Sequence, residues 1–269
     1  MAWLRPVEVL PAVSGPRAVR LGFDNRQSTD PPAAVNLLFP FRAIARLGLL
    51  ALSLGLPLLA AAATVVVDTG HTPQHPGAHG PDGQAEYGFN LRLSDAVSHR
   101  LREAGIAVTR VSADGREIEL QQRTQVNPQA DLFVSIHHDS IQQAWIDAGR
   151  RGEFKGYALF VSEKNPRASD SLRCAEHLGQ QMRDIGETPS LYHATPIAGE
   201  DRPLLNPSLG IHRFDDLVVL KTATMPAVLI EAGVIANPTE ESRLAQPDTV
   251  ERLAGAMARG IALCLAPPP

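Results

Sequence analysis

From Thr64 onward the chain alternates short apolar runs with longer stretches in which apolar residues recur every third or fourth position. Val65–Val67, within TVVVD, is a run too short for a helix and predicts a buried strand. Between Glu86 and Ala104, Phe89, Leu93, Val97 and Leu101 fall on one helical stripe, with Gly105 as the stop. IAVTR predicts the next strand, followed by the polar turn SADGRE and a helix near Ile118–Val126. DLFVSIHHD and GYALFVS are further strands. Pro166–Ile185 is a predicted helix carrying Leu172, Ala175, Leu178 and Met182. A loop rich in Pro, Gly and His runs from Gly186 to about Asp215. The apolar segment LVVLK, the strand AVLIEAG and a closing helix over Thr249–Leu265 complete the pattern. Strands separated by helical stretches predict a single α/β domain with a mostly parallel twisted sheet flanked by helices. In such sheets, sites collect beyond the carboxyl ends of the strands.

The chain ahead of Thr64 breaks this pattern. Residues 1–40 carry scattered prolines without strand or helix period and read as a non-structural extension. Residues 41–63, FRAIARLGLLALSLGLPLLAAAA, read as a signal peptide: Arg42 and Arg46 form its positive end, Leu47–Leu59 its apolar part and Ala60–Ala63 its cleavage site. Pro57 breaks the apolar helix just before the alanines. The expectation is a translation start nearer Val35 or Leu37 and a mature chain over 64–266. That chain would be exported to the periplasm or cell envelope, with no stable membrane span after cleavage. A formal net charge of −4 offers no basic field for nucleic acid, so electrostatic binding of DNA or RNA is not expected. Cys174 and Cys264 lack metal-type spacing and lie in helical patterns beside apolar residues. They are expected to be two buried thiols, a disulfide being the minority alternative.

Three strand ends carry residues able to bind a metal. VVVD runs into Gly70–His71, LFVSI into His137–His138–Asp139, and AVLI into Glu231. Glu86 opens the first helix, where the helix dipole favours a carboxylate. Two imidazoles and one carboxylate make a common catalytic zinc shell, which leaves a position for water, and a further glutamate can take that water's proton. The reading is therefore His71, Glu86 and His137 as metal ligands and Glu231 as general base. Singly, each has a plainer explanation. His71 could be a loop histidine and Glu86 a helix-end charge. Glu231 is the least ordinary, because a carboxylate directly after Ala227–Ile230 needs a partner or a solvated site.

The series resembles the zinc-dependent N-acetylmuramoyl-L-alanine amidases. Its segments stand here as DTGH (Asp68–His71), PGAHGPDGQAE (Pro76–Glu86), SIHHDS (Ser135–Ser140) and MPAVLIEAGVIANPTEE (Met225–Glu241), with Arg123 and Asn127 in LQQRTQVNPQADLFVSIH. The resemblance spans Val65 to Leu263. It implies zinc as cofactor, peptidoglycan as substrate, and hydrolysis of the amide joining the lactyl group of N-acetylmuramic acid to L-alanine. It also brings an activator protein into view as a partner. Arg202, Asn237 and His138 are candidate substrate contacts. Thr72–Pro73 stand where the family has two glycines, and His138–Asp139 where Ala-Asn is usual, so the rim of the site differs. Ile141–Phe154 is too short for a stable lid helix and is expected to be a rim loop. The remaining histidines, His193 and His212 among them, read as loop or surface residues. Two rivals remain at this point. A zinc carboxypeptidase shares the ligand types, though its first ligands sit three residues apart. A non-catalytic wall-binding protein would have no need of a buried Glu231.

Overall fold

A computed structural model describes residues 62–267. The predicted extension and signal peptide lie outside the described residues, apart from residues 62–63. The strands are β1 (Thr64–Thr69), β2 (Ala107–Val111), β3 (Leu132–Asp139), β4 (Ala158–Val161), β5 (Leu204–Asn206), β6 (Ile211–Arg213) and β7 (Ala227–Val234). The helices are α1 (Glu86–Glu103), α2 (Leu120–Arg123), α3 (Gln143–Asp147), α4 (Ala168–Asp184), α5 (Val218–Lys221), α6 (Pro238–Leu244) and α7 (Pro247–Leu265). The strands form one sheet in the order β2-β1-β3-β7-β4-β6-β5. It is mostly parallel: β1 runs with β2 and β3, β3 with β7, and β4 with β6, while β4–β7 and β5–β6 are antiparallel.

Period-two alternation divides the sheet between two cores. Val65, Val67, Leu132, Val134, Ile136, Val228 and Ile230 face α1, α4 and α7 and are essentially inaccessible. Val66, Phe133, Ala227 and Leu229 face the opposite way, where Val219 and Leu220 of α5 cover them. The apolar stripe read from Phe89 to Leu101 is the buried side of α1, and Gly105 past its end takes a left-handed φ of 78°. Among the described residues no helix is long and apolar enough to cross a membrane.

The structure departs from expectation in several places. LVVLK, read only as an apolar segment, supplies α5, because its apolar positions need only one helical turn to reach the core. The Pro/Gly/His-rich stretch contributes two short strands, β5 and β6, at one sheet edge. Cys174 and Cys264 are joined in a disulfide rather than standing as free thiols. Their helices α4 and α7 lie so close that a side chain at Gly260 would sit 2.8 Å from the Leu178 Cα. That approach leaves the cysteine Cα atoms 4.9 Å apart, within bridging range.

Candidate active site

The carboxyl ends of β1, β3 and β7 carry the chemistry. His71 lies two residues beyond β1 in the left-handed region, with φ 69°. Such a conformation is costly for a residue with a Cβ and needs holding in place. Arg123 does this, donating to the carbonyls of Thr69 (3.0 Å) and His71 (3.2 Å) and to the carboxylate of Asp68 (3.0 Å). Asp68 in turn accepts from the Ser135 hydroxyl at 2.7 Å, tying β1 to β3.

Glu86, the first residue of α1, is 5% exposed and lies between two imidazoles. Its Oε2 is 3.0 Å from His71 Nε2 and its Oε1 3.0 Å from His137 Nδ1. Burial alone would raise its pKa, but hydrogen bonds to His137 and His71 outweigh this and hold the carboxyl far below its ordinary range. One ligand atom from each of His71, Glu86 and His137 lies within 4.8 Å of the others. Two glycines leave room for the cluster. A Cβ on Gly70 would fall 2.4 Å from the His137 ring, and one on Gly77 would fall 2.4 Å from Glu86 Oε2. This donor set fits a divalent metal ion such as zinc. Glu241 of α6 fixes the loop leading to Glu86 by accepting from the Asp82 amide at 3.0 Å.

Glu231 stands directly across from His137, its Cα partner on β7. Alternation puts both side chains on the same face of the sheet. Its Oε2 is shielded from solvent and has no hydrogen-bond partner within the protein. Burial raises the Glu231 pKa well above the carboxylate range; repulsion from Asp139 and Glu86 adds to the rise, and Arg202 opposes it. A carboxylate of this kind is suited to taking up a proton during a reaction.

The same alternation removes His138 from the substrate face. It points toward α1, is 2% exposed, and donates from Nδ1 to Asn90 Oδ1 at 2.8 Å. Asn90 Nδ2 donates to Glu86 Oε1 at 3.1 Å, so His138 supports a metal-binding candidate from behind instead of lining the rim. Burial drives its pKa down to about 3. Asn237 is likewise internal. It caps α6 by accepting from the Thr239 amide (3.0 Å) and donates to the Phe154 carbonyl (2.8 Å). Arg202 remains half-buried near Glu231, with its guanidinium 4.1 Å from the Phe214 ring centroid.

A buried network behind Glu231 went unread in the sequence. His193 bonds Asp139 through Nε2 (2.7 Å) and Glu200 through Nδ1 (2.8 Å), and Glu200 accepts from Arg202 Nη1 at 2.7 Å. Tyr192 Oη also donates to Asp139. Burial pulls the His193 pKa down, but the two carboxylates dominate and carry it up to about 9. His212, fully buried and stacked on Phe160, is driven down to about 4 by burial. Both were expected as loop or surface residues, and both are buried. Nothing in a Pro/Gly-rich stretch marks a histidine for burial, although the departure from Asn to Asp at Asp139 hinted at a cationic partner.

A largely parallel sheet that gathers a His–Glu–His cluster and a half-buried glutamate with a shielded Oε2 at its strand ends has the make-up of a hydrolase. The chain belongs to the N-acetylmuramoyl-L-alanine amidase family, whose model matches residues 65–263. It is 28% identical to the amidase AmiA of Escherichia coli (strain K12), over 73% of this chain and 74% of AmiA. The catalytic domain of CwlV, an amidase from Bacillus (Paenibacillus) polymyxa var. colistinus, is similar in structure, with a TM-score of 0.58 and 29% identity over 75% of this chain and 97% of that one. CwlD of Clostridioides difficile, solved in complex with the GerS lipoprotein, shares the fold with a TM-score of 0.60 at 22% identity, over 76% and 98% of the two chains.

Proposed function

We propose that this protein hydrolyses the amide between the lactyl group of N-acetylmuramic acid and the L-alanine of peptidoglycan stem peptides, with zinc held by His71, Glu86 and His137. The observation that carries this reading is the convergence of those three donors beside the unpartnered Oε2 of Glu231. When bound, zinc supplies Lewis acidity, which activates a carbonyl toward attack and acidifies water. Glu231 Oε2 accepts a proton from the attacking water and returns it to the departing amine of alanine. The burial that raises its pKa lets it hold that proton between the two events. Arg202, on the loop beside Glu231, is proposed to bind the anionic stem peptide.

Export to the cell envelope belongs to the same reading. A disulfide between Cys174 and Cys264 favours an oxidising compartment, and the relatives include proteins named as cell wall amidases. An activator protein is part of the proposal too, in line with the lipoprotein solved on CwlD. Digestion of purified sacculi tests the reaction. The expected product is stem peptide with a free L-alanine amine, lost with Glu231→Gln and with chelator, and restored by zinc. Cleavage at the peptide C-terminus would indicate a carboxypeptidase, and absence of release a wall-binding protein. Sequencing the N-terminus of the mature protein tests cleavage near Thr64.

A further inference from the structure

The segment between β3 and β4 meets the loop after α4 along a groove of ≈ 680 Å³ that the proposed chemistry does not use. Its lining includes Trp145, Phe154, Leu191, Tyr192 and Ile197. Trp145 stacks on Phe154 with centroids 4.6 Å apart and planes at 26°, and meets Tyr192 edge-on at 5.7 Å. Leu191 and Ile197 are 41% and 37% exposed, and both line this groove. The groove joins the catalytic centre through one residue. Tyr192 donates to the carboxylate of Asp139 and to the Ser140 carbonyl (2.9 Å), where β3 ends just past His137.

The substrate of the proposed reaction has two unlike halves. The glycan strand, once its lactyl group is amidated, is a neutral chain of N-acetylated sugars with apolar C–H faces. The stem peptide carries several carboxylates and calls for uncommitted cations. At the groove rim, Arg150 is already matched by Glu153, to which it donates from Nε (2.9 Å) and Nη2 (2.6 Å). Lys155 is the other cation among the lining residues, too little for a multiply charged peptide. Aromatic and aliphatic side chains interspersed with the hydroxyls of Thr188, Ser190 and Thr195 instead match sugars, which offer both C–H faces and hydroxyls. We infer that the Trp145–Tyr192 groove binds the glycan strand, so that the sugars lie over α3 and the stem peptide extends away from it. This rests on the amidase reading above and adds an orientation to it.

Steady-state kinetics of the zinc-loaded full chain on two substrates with the same scissile amide test the inference. One is a disaccharide pentapeptide; the other is the lactoyl pentapeptide, which lacks the sugars. Trp145→Ala is expected to raise KM for the first about tenfold at unchanged kcat and to leave the second unaffected. Ile197→Asn, at an exposed position where folding is not at stake, is expected to act in the same direction with a smaller change. Titration with N-acetylglucosamine hexamer, followed by NMR, is expected to shift groove resonances in the wild type and not in Trp145→Ala. Equal losses on both substrates, no loss on either, or a defect that follows peptide length would overturn the inference while leaving the amidase reading intact. A wild-type chain that cleaves neither substrate would overturn the amidase reading, and this inference with it.

Discussion

At the scale of single residues, Gly77 shows how little freedom the metal-binding candidates have. Its φ of 77° suits glycine, and a Cβ there would fall 2.4 Å from Glu86 Oε2 and 2.7 Å from His71 Cδ2. Gly77→Ala is therefore expected to displace both donors and weaken zinc affinity by about 10–100-fold, as loss of a supporting contact commonly does. Competition with a chromophoric chelator measures it. His193 carries a pH prediction whose sign is fixed by its surroundings. Asp139 and Glu200 bond its ring, Tyr192 and Phe160 pack on it, and His212 lies 5.6 Å away, centroid to centroid. Its folded pKa, about 9, stands above the ordinary 6.5. The charged ring thus contributes stability that is complete below about pH 6.5 and is lost as pH rises through about 9. Thermal unfolding followed from pH 6 to 9.5 should show this decline, and His193→Gln should flatten it.

At the scale of elements, the disulfide links α4 to α7 across 90 residues of sequence. Closing so long a loop restrains the unfolded chain, and its loss is expected to cost about 2–4 kcal/mol. Urea unfolding of Cys174→Ala, or of the wild type with and without reductant, provides the measurement. Neither cysteine signalled its partner, because pairing depends on the crossing of two helices and on Gly260 allowing close approach. The long helices and central strands were legible for the opposite reason. Each repeats its own period over enough residues to fix which side is buried, as Phe89, Leu93, Val97 and Leu101 do on α1. Short pieces such as β5, β6 and α5 have three or four residues each, too few for a period, and take their form from the sheet edge and core they meet.

At the scale of the whole molecule, parallel topology explains why the His–Glu–His cluster could be read from sequence while its surroundings could not. Strand ends that share one edge of a parallel sheet bring together residues far apart in the chain, so His71, His137 and Glu231 were marked by position alone. His138 was misread as a rim residue because two adjacent histidines look alike until strand alternation sends them to opposite faces, and the His193 network depends on a loop with no period at all. The same topology would make metal binding a property of the entire domain. His71 follows β1, Glu86 begins α1 and His137 ends β3, so an ion held by all three would add to the β1–β3 ladder, the packing and the hydrogen bonds that already join these elements. Unfolding scatters these donors, so binding favours the folded state by about 2.7 kcal/mol at a hundredfold excess of free zinc over Kd. For a domain of this size that corresponds to a rise in Tm of roughly 5–10 °C. Calorimetry of the chelator-treated protein, before and after adding zinc, should recover this increment, and Glu86→Gln should lose most of it. Glu231→Gln should keep the increment while losing hydrolysis, since Glu231 faces the cluster without supplying one of its donors. A Tm indifferent to zinc in the wild type would mean that the three side chains approach one another without holding an ion.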